Sequence, residues 1–214
     1  MYKFTFLILF IFAFSPKSFT QTFNAGLIAG FTASQLNGDN SAGYNKLGVE
    51  GGLRVGVALQ EKMDLTLEIL YSQRGAKEEV DVDGTPQEIY QTDYIAVPIV
   101  FSYKDWLAGE YYRLHFHGGL SYGRLVNAEL KNDLSDNSRF VSTWKENDLS
   151  FLLGATYFVN EHLGLTVRYN RSIFLLFKSG SSATFEENGV EMMQSFNTNS
   201  LIPYNLSFHA QYMF

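Results

Sequence analysis

Residues 202–214 read IPYNLSFHAQYMF and contain two interleaved sets of side chains. One set is apolar or aromatic at every second position: Ile202, Tyr204, Leu206, Phe208, Ala210, Tyr212 and Phe214. The residues between them are mostly polar, among them Asn205, Ser207 and Gln211. Because successive side chains of a β-strand point to opposite faces, this period of two predicts a strand with one apolar face and one polar face.

The same alternation recurs in seven further segments, which are residues 23–33, 47–59, 63–71, 95–103, 112–122, 149–157 and 163–169. The eight apolar faces contain no Asp, Glu, Lys or Arg. A charge that faces lipid costs roughly 2–4 kcal/mol at the membrane midplane, so this exclusion is typical of a wall that faces lipid. The pattern predicts a single eight-stranded antiparallel transmembrane β-barrel, an all-β fold that spans residues 21–214.

The opposite faces are sparse and rich in Gly, Ser and Thr, and they carry eight charged residues: Glu50, Arg54, Asp64, Glu68, Arg74, Arg113, Asp148 and Arg168. Eight strands enclose a bore just wide enough for side chains to fill. Four acids and four arginines then predict an interior charge network that plugs the bore, with Arg54 paired to Glu50 or Glu68. The alternative is a narrow gated pore.

The connections between the segments alternate in length, which predicts the orientation of the barrel. Links 60–62, 104–111 and 158–162 are short, whereas links 35–46, 73–93, 124–147 and 171–200 are long and polar. Outer-membrane barrels have short periplasmic turns and long extracellular loops, so both termini are expected in the periplasm. Aromatic residues on the apolar faces fall into two groups, near the two expected rims. The periplasmic group is Phe23, Tyr103, Tyr112, Tyr157, Tyr212 and Phe214, and the outer group is Phe31, Tyr71, Tyr122, Tyr169 and Tyr204.

The first residues predict export from the cytoplasm. Residues 4–14 form an apolar run interrupted only by Thr5. The run is too short to span a bilayer and has the length of the apolar core of a signal peptide. We expect a signal peptide over residues 1–20, cleaved before Gln21, and a mature protein in the outer membrane of a Gram-negative cell.

Composition limits the classes of partner. Without Lys3 and Lys17 of the signal peptide, 14 basic and 22 acidic residues leave a formal net charge of −8. This acidic balance, with no basic patch, predicts no binding of nucleic acid. The chain has no cysteine, so disulfide and thiol chemistry are excluded.

The last strand resembles the C-terminal strand of bacterial outer-membrane β-barrels, which ends on an aromatic residue. In that class the barrel-assembly machinery reads the terminal strand before the barrel closes. The resemblance implies that Phe208, Tyr212 and Phe214 form an assembly signal, that the machinery is a partner during biogenesis, and that outer-membrane lipid surrounds the folded barrel.

Three further stretches read GLIAGFTASQLNGD at 26–39, LYSQRG at 70–75 and YIAVPIV at 94–100. They resemble the PorT-like outer-membrane β-barrel family, which is common in Bacteroidetes. Ala96 departs from the Glu expected before the Val-Pro step. The resemblance implies the fold more than the function. The founding member is tied to a secretion and gliding apparatus, so a subunit of an envelope complex, with an unknown partner, is one candidate role.

Histidine, serine and acid side chains are the candidates for a catalytic or metal site. His115 and His117 share the inward face of one strand, and His209 is inward on the last strand. Two such histidines can reach one metal ion, but a metal site usually needs three or four ligands. A lipid hydrolase of this class would place its catalytic groups on the lipid-facing wall or at its outer rim. The sequence therefore predicts no metal, no cofactor and no enzyme, and favours a structural or surface-binding barrel. A subunit of an envelope complex is second, and a lipid-modifying enzyme third.

Overall fold

The computed structural model describes residues 23–37, 46–77, 88–132, 135–140, 145–173, 182–187, 190–195 and 202–214. The expected signal peptide, residues 1–20, lies outside these ranges. Within them the chain forms strands joined by turns, and no helix there is long and apolar enough to cross a membrane. The strands are β1 Phe23–Asn37, β2 Lys46–Gln60, β3 Met63–Lys77, β4 Glu88–Ala108, β5 Tyr111–Asn132, β6 Ser135–Phe140, β7 Asn147–Phe158, β8 Leu163–Ser172, β9 Ser182–Glu187, β10 Val190–Ser195 and β11 Ile202–Met213.

Eight of these strands form a closed antiparallel barrel in the order β1-β2-β3-β4-β5-β7-β8-β11. Each barrel strand corresponds to one segment of alternating sequence, so the predicted fold is confirmed. β6 pairs beside the end of β5, and β9 and β10 form a separate two-stranded hairpin.

Pairing of the first and last strands closes the barrel. β1 and β11 share a continuous register from Gly26 opposite Met213 to Asn37 opposite Ile202. The backbone N–H of Phe214 extends this seam with a hydrogen bond of 2.9 Å to the carbonyl of Ala25. Lipid offers no hydrogen bonds to a free strand edge, so closure satisfies the backbone groups of both terminal strands.

The strands are staggered as they pass around the barrel. A path of register partners that begins at Leu114 in β5 returns to the same strand at Arg124, ten residues further along. Between these two residues the path passes through Tyr157, Leu165, Ala210, Ala29, Gly51, Tyr71 and Ile95. None of the residues on this path is buried, so one face of the sheet stays outside around the whole circumference. Closed barrels with such a stagger have strands tilted by about 40° to the axis.

The outer wall is apolar and exposed. Leu53, Ile69, Ile99 and Leu153 have exposed fractions of 58%, 55%, 54% and 58%. In water such a continuous apolar band would be unstable, whereas in a membrane it contacts acyl chains. The wall is therefore the surface that the alternation predicted to face lipid.

Turns define the two ends of the barrel. Residues 61–62, 109–110 and 159–162 connect barrel strands at one end, here called the turn end. The strand ends on the opposite side, here called the loop end, are those that longer stretches of sequence join. β3, β4 and β5 extend further toward the loop end than the alternation predicted, to Lys77, from Glu88 and to Asn132. Beyond the apolar wall a strand needs no apolar face, but its backbone still pairs, so the sequence pattern ends before the strand does.

Glycines on the inward face let neighbouring strands approach closely at the closing seam. A Cβ atom on Gly30 of β1 would lie 2.1 Å from the carbonyl oxygen of Phe208 in β11. Gly51, on the outward face of β2, is different, because its nearest atom would be the Ile28 carbonyl oxygen at 3.3 Å. The inward glycine is thus required by the packing of β1 against β11.

We predict that Gly30→Ala lowers the free energy of unfolding by about 1–3 kcal/mol, the usual cost of forcing extra atoms into a packed site. Gly51→Ala, the same change on the neighbouring strand and the opposite face, should cost less than half as much. Urea unfolding of the refolded protein in lipid vesicles measures both. Equal losses for the two variants would contradict this account of the seam.

Candidate functional site

The interior of the barrel is a polar bore. The described side chains that are buried there are mainly hydroxyl, amide and charged groups, including Thr32, Ser72, Thr66, Ser150, Ser207, Asn205 and Gln211. These come from the inward face of the alternating strands. The bore is the candidate functional site because the charged residues singled out from the sequence, with the exception of Arg113, lie in it.

One ion pair crosses the centre of the bore. Arg168 of β8 donates two hydrogen bonds to Glu68 of β3, at 2.7 Å and 3.0 Å to the two carboxylate oxygens. Both side chains are almost fully buried, with exposed fractions of 4% and 1%. β3 and β8 lie on opposite sides of the eight-stranded circle, so the pair spans the full width of the bore. A planar guanidinium fork that meets a carboxylate with two bonds also fixes the geometry of both groups.

A second ion pair lies nearer the loop end. Arg74 of β3 lies 3.3 Å from Asp148 of β7, and the guanidinium also contacts the face of the Tyr94 ring, 5.2 Å from its centroid. The Asp148 carboxylate accepts further hydrogen bonds from the hydroxyls of Ser150, at 2.6 Å, and Ser172. These contacts fix the side chains that fill the bore on the loop side of the central pair.

Glu50 is held by neutral donors. Its carboxylate accepts hydrogen bonds from Ser72 at 2.9 Å and from Ser207 at 3.3 Å. The Nδ1 atom of His209 lies 3.4 Å from the other carboxylate oxygen. Glu50 therefore joins β2 to β3 and β11 without an arginine partner.

Arg54 does not pair as the sequence predicted. Its guanidinium donates to the side chain of Gln211 and, at 3.2 Å, to the hydroxyl of Thr66. Among the described residues no carboxylate lies within ion-pair distance of Arg54. Glu68 pairs with Arg168 instead, because the Arg168 side chain reaches that carboxylate from the opposite wall. Strand spacing in the sequence carries no information about which side chain crosses the bore.

Two residues correct the predicted membership of the interior network. Arg113 lies apart from the other charges, at the exposed turn end, where it donates to the hydroxyl of Tyr157 at 3.4 Å. Its position near the start of β5, Tyr111–Asn132, places it where the bore opens to solvent. Lys104 was missed, yet its ammonium lies 2.9 Å from Asp64. Lys104 follows the inward Ser102 by two residues and lies one residue past the predicted end of the fourth strand, so continued alternation was the signal that would have identified it.

The three strand histidines face inward, as their positions predicted. His115 Nε2 contacts the backbone oxygen of Tyr112 at 3.2 Å, and its ring packs against Phe158 with centroids 4.5 Å apart. His117 and His209 are both buried in the bore. Within the described parts of the chain, no group of three or more His, Asp or Glu side chains is arranged to hold a metal ion.

A vestibule of about 400 Å³ opens at the turn end. Arg54, Asp64, Lys104 and His115 are among the side chains that line it. The central pair of Glu68 and Arg168 lies beyond this lining. The vestibule therefore leads from solvent to a bore filled by side chains.

The residues of the predicted assembly signal lie on the outer wall. Phe208 stacks on Phe31 of β1 with ring centroids 5.3 Å apart, and Tyr212 packs edge-on against Phe214 at 5.8 Å. The ring of His162, in the last short turn, stacks on Tyr212 at 5.8 Å. The structure thus groups these aromatic residues on one side of the barrel, along the closing seam.

We predict that Arg168→Leu lowers the free energy of unfolding by about 3–5 kcal/mol, because it leaves the Glu68 carboxylate buried without its partner. The double variant Glu68→Leu with Arg168→Leu should recover much of that loss, since no charge is then stranded. Arg124→Gln is the matched control. It removes an exposed pair with Glu146 and should cost at most about 1 kcal/mol. Losses that simply add in the double variant, measured by urea unfolding, would contradict the pairing.

Comparison with known proteins places this architecture. No curated protein matches the chain in sequence. Neisserial surface protein A is 12% identical to it, over 91% of this chain and 99% of that one, with a TM-score of 0.52. Ail of Yersinia pestis is 12% identical over 89% and 98% with a TM-score of 0.48, and OprG of Pseudomonas aeruginosa is 13% identical over 91% and 95% with a TM-score of 0.42. At such identities, the likeness to Neisserial surface protein A concerns the fold alone.

A family relationship in sequence accompanies this likeness of fold. Residues 15–178 match the family described as the outer membrane protein beta-barrel domain. The matched segment includes the barrel strands β1 to β5, β7 and β8. Because it covers well over half of the chain, the protein belongs to the outer membrane β-barrel domain family.

Proposed function

We propose that this protein is a non-enzymatic outer-membrane barrel with a closed bore, in which the chain exposed at the loop end carries a structural or surface-binding role. One observation carries the proposal: the ion pair of Glu68 and Arg168 joins opposite walls of the barrel at 2.7 Å. A solute would have to break this pair and expose both charges to pass.

Two neighbouring layers support a closed bore. Arg74 and Asp148 lie on the loop side of the central pair, and Arg54 with Gln211 lies on the turn side. Each layer links strands across the interior. Buried charges that are separated from their partners cost several kcal/mol, so these layers favour the filled state.

The position of the histidines supports a role without catalysis. His115, His117 and His209 all face the bore, whereas an enzyme that acts on membrane lipid needs its catalytic groups on the wall. The wall residues next to β11, such as Leu165, Val167 and Ala29, offer no acid or base.

The proposed orientation has both termini in the periplasm and the loop end outside the cell. Phe23 and Phe214 lie at the turn end, where the described connections have two to four residues. The stretches of sequence that join the strands at the loop end are longer, which suits extracellular loops. Export through a signal peptide over residues 1–20 belongs to the same proposal. Long loops on a rigid scaffold are the usual place for binding surfaces.

Planar-bilayer recording tests the closed bore. The purified protein should show no steady conductance, and Arg54→Ala should not create a large channel, because the pair of Glu68 and Arg168 remains in place. Steady conductance of the size typical of porins would replace the proposal with a channel.

Phe214 is proposed to act in assembly, with the barrel-assembly machinery as the partner. Its side chain is 72% exposed, so Phe214→Ala should change the free energy of unfolding by less than about 1 kcal/mol while it lowers the amount of protein in the outer membrane. Phe23→Ala is the matched control, an exposed aromatic at the same rim on the neighbouring strand. Equal outer-membrane levels for wild type and Phe214→Ala, measured by quantitative immunoblotting, would contradict this role.

A further inference from the structure

The outer face of β8 carries an arginine. The outward residues of this strand are Leu163, Leu165, Val167, Tyr169 and Arg171. Arg171 is exposed. It belongs to the outer wall because β8 continues past Tyr169, where the alternating segment of the sequence ends. The eight alternating segments carry no charge on their apolar faces, so an arginine that continues one of these faces needs an explanation.

Aromatic residues surround this arginine. Arg171 lies opposite Tyr204 of β11 on one side and opposite Phe151 of β7 on the other. Tyr169 precedes it on the same outward face and packs against Phe151, with ring centroids 6.1 Å apart. Arg171 therefore lies within the aromatic girdle at the loop end. In outer-membrane barrels such girdles mark the boundary between acyl chains and headgroups.

The height of Arg171 agrees with this boundary. Eight residues of a strand tilted by about 40° rise roughly 20 Å from Leu163 at the turn end. The apolar band of an outer-membrane barrel is about 25 Å tall. The guanidinium at the end of a long side chain thus reaches the headgroup layer.

Arg171 has no anionic partner in the described parts of the protein. No carboxylate there lies within ion-pair distance of its guanidinium. Arg124 is a contrasting arginine on the outward face of β5. It is neutralised by Glu146 at 2.5 Å and donates to Asn147 at 2.9 Å. The wall thus offers one paired and one unpaired guanidinium near the same end.

We propose that Arg171 binds the phosphate group of a membrane lipid, with the acyl chains of that lipid lying along Phe151, Leu153 and Val167. A guanidinium fork matches the geometry of a phosphate, and phosphate is the anion present in the headgroup layer. With the loop end outward, as proposed above, the lipid is a phosphorylated glycolipid of the outer leaflet. The surrounding aromatic rings hold the headgroup boundary at the level of the guanidinium.

Binding of lipid A by the purified full-length protein in detergent tests the site. Native mass spectrometry compares bisphosphorylated lipid A with the same lipid after removal of both phosphates. The wild type should prefer the phosphorylated form, and Arg171→Gln should weaken binding of that form about tenfold, the loss expected for one charged hydrogen-bonded contact. Binding of the dephosphorylated lipid should be unchanged by the substitution.

Two control variants keep the result interpretable. Arg124→Gln removes an arginine that is already paired, and Arg113→Gln removes one at the opposite end, so both should retain the preference for phosphorylated lipid. Equal preference in Arg171→Gln and wild type would overturn the proposal, as would displacement of the lipid by millimolar inorganic phosphate, since the ligand would then be a soluble anion. The measurement is made in detergent and does not depend on orientation or conductance, so its failure would leave the proposed function untouched.

Discussion

The ion pair between Glu68 and Arg168 is the interaction on which the interior depends. It joins β3 to β8, which face each other across the bore, with two hydrogen bonds at 2.7 Å and 3.0 Å. A charge left alone in such a place would be costly, so each residue requires the other. A wider barrel would separate the two groups, and a narrower one would leave no room for them. The length of this pair therefore matches the width of a barrel of eight strands.

Lipid imposes the second constraint, because it accepts no unpaired backbone group and no unpaired charge. The backbone requirement is met by closure of β1 onto β11, and the close approach at Gly30 makes that seam tight. The charge requirement is met by the strand register. The same face of the sheet stays outward around the whole barrel, although the strands are staggered by ten residues. Arg171 is an outward charge without a carboxylate partner among the described residues. It lies at the height of the lipid headgroups, which can supply an anion.

The site could be predicted in part. Alternation assigned Glu68, Arg168 and Asp148 to the bore, because parity along a strand is a local property. It did not assign partners: Arg54 was expected to neutralise an acid and instead binds Gln211 and Thr66. Arg113 was expected inside and lies at the open rim, since parity says nothing about height along the barrel axis.

The sequence by itself determined the fold class, the eight barrel strands and the face of each strand that points outward. All of these follow from a period of two and from the exclusion of charge from lipid, which are written in neighbouring residues. Only the tertiary structure decided that Arg168 reaches Glu68, that Lys104 joins Asp64 and that Arg171 lies among aromatic rings with no carboxylate of the described residues beside it. Those facts depend on stagger and curvature, which bring together residues a hundred positions apart.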